Sequence, residues 1–358
     1  MLHYPQTIVR PVKQQDLSSL MELAKQAGPG MTNLPQDEQA LQEKIDVSLQ
    51  SFVKEYNSNN ILGYFFVMED LATKKIVGTS AICGAGSHMM PFYHFKMSTV
   101  NYVNIELNLN KTHRILTMVN DYQGCTEVCS LFLTPQHRQY YNGSLLSRSR
   151  FLFMAEHPKR FNKTIIAEMR GVMNEDGSQP FWDGVISNFI DLSFMDADKL
   201  TGKGIKQFIS DMMPRYPLYV EMLPQSAQDV IDKVHDATKP ALALLKNEGF
   251  ASHGYIDIFE AGSMVECELK KIKSVRKSIK HEVNMISSDF SGINKSNLYL
   301  ISNARLDFRA CIAYLNIDKD TQEVTIMPET AEALGLKIND KIRYVPLMLP
   351  SDNHMENT

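Results

Sequence analysis

The 358-residue sequence predicts an α+β fold, a mixed and mostly antiparallel sheet flanked by helices, with a small β domain at the C-terminal end. Three observations predict it. The opening reads as β-α-α-β-β, with its last two strands joined as a hairpin. Near the middle, an apolar run at residues 127–133 enters a polar turn and then a segment of helical period. The tail alternates in period two between short turns, the pattern of strands with one face covered.

Taken in order, residues 7–13 read as a strand and 16–27 as a helix, with Asp16 as its N-cap and Gly28 just past its end. GPGMTNLP, residues 28–35, is dense in turn residues and reaches a second helix over 36–53. The hairpin strands are at 61–68 and 75–85; residues 88–102 and 105–119, aromatic and β-branched, suit further strand and loop. The 127–133 run is closed by Thr134 and by Pro135, which cannot donate to a ladder.

Asn142, Gly143 and Ser144 open a helix whose Leu145, Leu146, Leu152 and Phe153 return on one side, with Ser147, Arg148 and Arg150 on the other. Free N–H groups at the start of such a helix suit a phosphate. A strand at 163–169 ends at Arg170, and 180–190 is an amphipathic helix with Trp182, the single tryptophan, as a core anchor. Residues 193–223 are irregular, with a short helix at 204–212. A helix at 239–248, stopped by Gly249, leads to a strand at 254–259. The basic run at 270–280 reads as a solvated helix face, with contact to a cosubstrate phosphate as the alternative. The expected division is a main domain over 1–280, a linker over 281–297 and a small β-barrel or sheet over 298–358.

A net charge of −4 carries no polyanion-binding signature, so nucleic acid is not an expected partner. No run is long and apolar enough for a signal peptide or a membrane span, so a soluble cytoplasmic protein is expected. Of five cysteines, Cys125 and Cys129 lie close in sequence, but no second cysteine or histidine pair joins them, and no metal site is expected.

These residues support a resemblance. The β-α-α-β-β opening, the buried strand and the turn Arg138-Gln139-Tyr140-Tyr141-Asn142-Gly143 resemble the acyl-CoA N-acyltransferase (GNAT-like) superfamily, whose turn has the form Arg/Gln-x-x-Gly-x-Gly/Ala. The motifs GPGMTNLP, CSLFL, LLSRSRFLFMA, AEMRGV, PFW, AQDVI-x-x-VH, PA-x-x-LLKNEGF and Y-x-DIF-x-x-G are similar to those of the arginine N-succinyltransferase family, from the opening IVRPV to the last strands. One departure stands out: Tyr141 occupies the place of the turn's first glycine, which is costly if that position needs a positive φ.

The resemblance implies transfer of a succinyl group from succinyl-CoA to the α-amine of L-arginine, the first step of an arginine-degrading route, with no cofactor beyond the cosubstrate. It implies that His235 is the proton donor and that Leu131 meets succinyl-CoA through its main chain, with Arg138, Gly143 and Ser144 at the pyrophosphate. Glu106 and Glu127 occupy family glutamate positions, and Arg170 and Asp257 are substrate-binding candidates by their place in the motifs; no residue is singled out as the base. The alternatives are a turnover-deficient regulatory or partner subunit, or action on ornithine or another amine. A homo-oligomer or pairing with a similar subunit is expected.

Overall fold

A computed structural model describes residues 5–28, 30–53, 62–84, 92–205, 207–290 and 297–348. Strand β1 (Thr7–Pro11) runs into helices α1 (Leu17–Ala27) and α2 (Glu38–Val53), then the hairpin β2 (Gly63–Asp70) and β3 (Ile76–Cys83). A second, longer hairpin, β4 (His94–Asn104) and β5 (Leu109–Val119), precedes β6 (Thr126–Leu133), α3 (Asn142–Glu156) and β7 (Thr164–Glu168). The short elements α4 (Pro180–Gly184), α5 (Phe194–Gly202), α6 (Gln207–Met212), β8 (Leu218–Tyr219) and α7 (Gln225–Gln228) come next. They lead to α8 (Lys239–Glu248), β9 (Ala251–Ile256), β10 (Ser263–Glu268) and α9 (Lys273–Lys277). The C-terminal part holds β11 (Ile279–Glu282), β12 (Met285–Ile286), β13 (Leu298–Asn303), β14 (Ala310–Ile317), β15 (Val324–Ile326), α10 (Pro328–Leu334) and β16 (Lys341–Pro346).

One sheet path runs β11-β16-β13-β14-β1-β2-β3-β6-β7-β10-β9-β4-β5-β8. Within it β6 and β7 are parallel and all other neighbours antiparallel. The C-terminal strands join the main sheet where Val9 of β1 faces Ala310 of β14. Among the described residues, no helix is long and apolar enough to cross a membrane.

Helix α3 is where the sequence pattern misleads. Its second side is not solvated: Ser147, Arg148, Ser149 and Arg150 are as buried as Leu145 and Phe153. The C-terminal strands and helices α8 and α9 pack over Arg148, while Arg150 turns to the Cys129 carbonyl of β6. Arg148 makes this possible by pairing with Glu248 at 3.0 Å and donating to the carbonyls of Leu347 and Pro346. On the sheet side, Phe153 packs among Phe52, Tyr64, Phe66, Phe161 and Phe308 with ring centroids 4.9 to 6.0 Å from its own.

Other differences are local. Asp16 does not cap α1; it holds Arg10 through both carboxylate oxygens, at 2.8 and 3.1 Å, because a buried guanidinium is the more demanding partner. The expected helix at 180–190 is one turn of α-helix followed by a 3₁₀ turn at Ile186–Asn188, with Trp182 packed on Phe194 and Phe259. The basic run is broken into a 3₁₀ turn at Leu269–Lys271, then α9, then β11. Helix α10 has no counterpart in the sequence reading. The expected strand ends at Ile61 and Ala85, the segment start at His88 and linker positions 291–296 lie outside the described residues.

Candidate active site

Strands β6 and β7 pair only through Thr126 with Ile165 and Glu127 with Ile166. Beyond that point they part. A cleft of about 680 Å³ fills the opening, lined along one wall by residues 127–133 and along the other by residues 167–170. The break has a local cause: opposite β3, the register moves from Phe132 to Cys129 while β3 moves only from Thr79 to Ala81, so β6 carries an extra residue. Ser130 sits in the bulge at a φ of 52°, and its hydroxyl donates to the carbonyl of Asn33 at 2.8 Å. Leu131 is adjacent and lines the cleft.

At one end lies the turn before α3. Tyr140 and Tyr141 both take positive φ, 52° and 63°, so the chain forms the left-handed turn with tyrosine where the resemblance expects glycine. Asn142 braces it, accepting from the Thr7 hydroxyl at 2.9 Å and donating to the His137 carbonyl at 3.1 Å. Asn142 N–H bonds back to Gln139 and Leu145 N–H to Tyr141. Between them, the N–H groups of Gly143 and Ser144 have no acceptor among the described residues. Gly143 and Arg138 line the cleft, and Arg138 is held by a bond from Nε to the Leu133 carbonyl. Ser144 is on the same first turn of α3 but is not part of the cleft wall.

The other end is acidic. Asp198, Asp257 and Glu260 all line the cleft. Asp257 shapes the loop after β9 by accepting from the N–H groups of Phe259 and Glu260. Burial raises the pKa of Asp257, and of Glu260 to about 8, where the Asp257 charge adds to the effect. Glu260 accepts from Gly171 N–H at 3.0 Å and Gln179 Nε2 at 2.8 Å. Residues 30–35 close over this end: Thr32 donates to Asp198 and Asn33 to Glu127. Gly30, at a φ of 78°, is required there, since a Cβ would fall 2.8 Å from Glu260 Oε1 and 2.9 Å from Arg170 Nε. Arg170 Nε is buried and has no hydrogen-bond partner among the described residues.

His235 stands at the rim. Its N–H donates to the Arg170 carbonyl at 2.9 Å, and the next residues, Ala237 and Thr238, line the cleft. Ala237 N–H donates to His235 Nδ1 at 3.1 Å, so the neutral ring carries its proton on Nε2. Burial and the charge of Arg170 both lower its pKa, which keeps the ring neutral at pH 7.

The cleft thus gathers Glu127, Leu131, Arg138, Gly143, Arg170 and Asp257, with His235 beside it. Glu106 is elsewhere: it is exposed in the turn of the β4–β5 hairpin. Asp198 and Glu260 were not picked out from sequence, although Glu260 falls within the Y-x-DIF-x-x-G motif. Cys125 does not pair with Cys129; Cys83 does, with sulfurs 3.6 Å apart and the Glu127 carboxylate nearby. That contact and burial hold the Cys129 thiol protonated, and three donors fall short of a closed four-ligand site.

Two family models match the chain, the arginine N-succinyltransferase beta subunit over residues 7–274 and its C-terminal domain over residues 282–346. The chain is 39% identical over 346 residues to an arginine N-succinyltransferase of Yersinia pseudotuberculosis, covering 96% of this chain and 98% of that one. It is 41% identical over 341 residues to the arginine N-succinyltransferase subunit beta of Pseudomonas aeruginosa, covering 95% and 98%. The solved structure of arginine/ornithine succinyltransferase subunit AI from Pseudomonas aeruginosa superposes with a TM-score of 0.85 at 32% identity, over 96% of this chain and 99% of that one.

Proposed function

Because the chain belongs to the arginine N-succinyltransferase family, we propose that its cleft holds succinyl-CoA from the α3 end and arginine from the acidic end. The activity is acyl transfer: the succinyl group of succinyl-CoA passes to the α-amine of L-arginine, giving N2-succinyl-L-arginine and CoA. The observation that carries the division of the cleft is its polarity. Unpaired N–H groups and Arg138 lie at one end, three carboxyl groups at the other, and a bulged strand between them.

The chemistry follows from that order. The pyrophosphate meets Gly143 and Ser144 N–H and the positive end of α3. The pantetheine arm runs along β6 to the bulge, where a main-chain N–H at Leu131 stabilises the oxyanion, an interaction worth about 3 kcal/mol in other acyl transfers. Arg170 takes the α-carboxylate of arginine and so sets the α-amine near His235. Asp198, Asp257 and Glu260 receive the guanidinium. As the C–S bond breaks, His235 Nε2–H donates a hydrogen bond to sulfur. The proton shed by the new amide nitrogen then completes the thiol.

Glu127 holds the loop through Asn33 in this reading. Residues beyond the 281–297 division serve as cover for α3. Free thiols at all five cysteines support a reducing, cytoplasmic compartment. Assembly from more than one chain is supported by the β4–β5 hairpin, whose Tyr102, Val103, Ile105, Leu107 and Leu109 are all more than half exposed. Mass spectrometry of the product formed from succinyl-CoA with equal arginine and ornithine tests the acceptor. Ornithine has no planar guanidinium to satisfy three acids, and succinylarginine should dominate; a succinylornithine excess would overturn the assignment of the acidic end.

A further inference from the structure

Two buried arginines of this fold, Arg10 and Arg148, are matched by acids inside it. Arg10 meets Asp16 and Glu69, and Arg148 meets Glu248. Arg150 is different. It is 1% exposed, and its three bonds go to neutral oxygens: Nε to the Ser147 carbonyl at 3.0 Å, Nη2 to the Ser147 hydroxyl at 3.1 Å and Nη1 to the Cys129 carbonyl at 3.4 Å. Among the described residues no carboxylate pairs with it. A guanidinium has five N–H donors, so this one keeps unused donors and an uncompensated charge in a dry setting. Burial pulls its pKa down to about 10, yet it remains a cation at neutral pH.

Arg150 also lines the cleft. Its bond to the Cys129 carbonyl fixes its depth: two residues before Leu131 on β6, toward the closed end where β6 and β7 still pair. With CoA entering from the α3 end and the thioester at Leu131, the acyl chain points that way. Two strand residues span about 6.6 Å, within reach of a four-carbon acyl chain and one hydrogen bond. Glu127, the next acid along the strand, is engaged by Asn33.

We propose that Arg150 is the residue that selects the acyl group, receiving the terminal carboxylate of the succinyl chain on its unused N–H donors. The bound carboxylate supplies the counter-ion that the fold withholds. A neutral acyl chain of the same length leaves the guanidinium unpaired and is disfavoured for that reason. The inference rests on the transferase reading above and names the acyl specificity of that site.

The test compares succinyl-CoA with butyryl-CoA, equal in chain length and uncharged at the acyl end, as donors to L-arginine. The wild-type protein should favour succinyl-CoA in kcat/KM by about 100-fold. Arg150→Gln should lower kcat/KM for succinyl-CoA by about 30-fold or more, leave butyryl-CoA within about threefold, and bind free CoA as before. Because the side chain is buried, Arg150→Lys serves as the second variant. It keeps a charge and loses the fork, and should reduce the preference for succinyl-CoA selectively, by less than glutamine does. Parallel losses for both donors in a folded variant, or an unchanged preference, overturn the role of Arg150 and leave the transferase reading standing. Absence of arginine-dependent turnover with any acyl-CoA in the wild-type protein overturns both.

Discussion

The main-chain N–H of His235 donates to the carbonyl oxygen of Arg170 at 2.9 Å, tying the residue ahead of α8 to the one just past β7. Through this bond the residue proposed to meet the leaving sulfur and the residue proposed to meet the substrate carboxylate share one frame. His235→Ala removes the ring and keeps the frame, because the bond belongs to the backbone. The expected outcome is a fall in kcat of about 100-fold with KM for both substrates within about threefold, measured by steady-state kinetics. A comparable rise in KM for arginine would instead assign His235 to substrate binding.

Arginine should bind more tightly as pH rises toward 8. Glu260 has a folded-state pKa of about 8, raised by burial and by Asp257, so in the empty site it is largely a neutral acid at pH 7. A guanidinium favours the ionised form, and binding must expel the proton. Calorimetry in buffers of different ionisation heat should record proton release near pH 7 that disappears in Glu260→Gln. The same shift has a stability consequence. A folded-state pKa above the unfolded one gives a contribution that is complete below the unfolded value and lost as pH climbs through 8. The ligand-free melting temperature should therefore decline more steeply than that of Glu260→Gln as pH rises to about 8, and level off above it.

Tyr141 is strained where it stands. Its φ of 63° lies in the left-handed region, and its side chain is about half exposed, so little packing holds it there. Tyr141→Gly should relieve about 1 kcal/mol of backbone strain, partly offset by the greater freedom of glycine in the unfolded chain. Chemical denaturation is expected to give a midpoint equal to or above that of the wild-type protein, with CoA affinity kept. A clear loss of stability would mean that the tyrosine ring is itself a support of the turn.

Arg148 carries the opposite expectation. Arg148→Met leaves Glu248 buried beside Ser274 without its cation and frees the carbonyls of Leu347 and Pro346. Removing one partner of a buried pair costs about 3–5 kcal/mol. Denaturant melts should show that loss, and the double variant Arg148→Met with Glu248→Gln should recover part of it.

What the sequence made legible follows from the range of the signals. Strand β6 and helix α3 were readable because an apolar run, a proline stop and helical spacing are local patterns. The burial of Arg148 was not, since it depends on residues 126 and 199 positions later folding over α3, nor was that of Arg150, which turns to the Cys129 carbonyl of β6. His235 was reached through the resemblance alone, as nothing near it in sequence shows that Arg170 will hold its backbone. Glu260 and Asp198 acquire their setting from the loop around Gly30, a contact across more than 160 residues in the case of Thr32 and Asp198. Glu106 lies outside the cleft wall for the converse reason: its neighbours suit a strand, and strand pattern does not tell an exposed hairpin from one laid against the core.

The central claim, that this cleft joins succinyl-CoA to arginine, is tested most directly by following CoA thiol release from the purified protein with succinyl-CoA, with and without L-arginine. Release should require arginine, be far weaker with acetyl-CoA and fall sharply in His235→Ala. Thiol release at the same rate without arginine, or none with it while succinyl-CoA still raises the melting temperature, would contradict it.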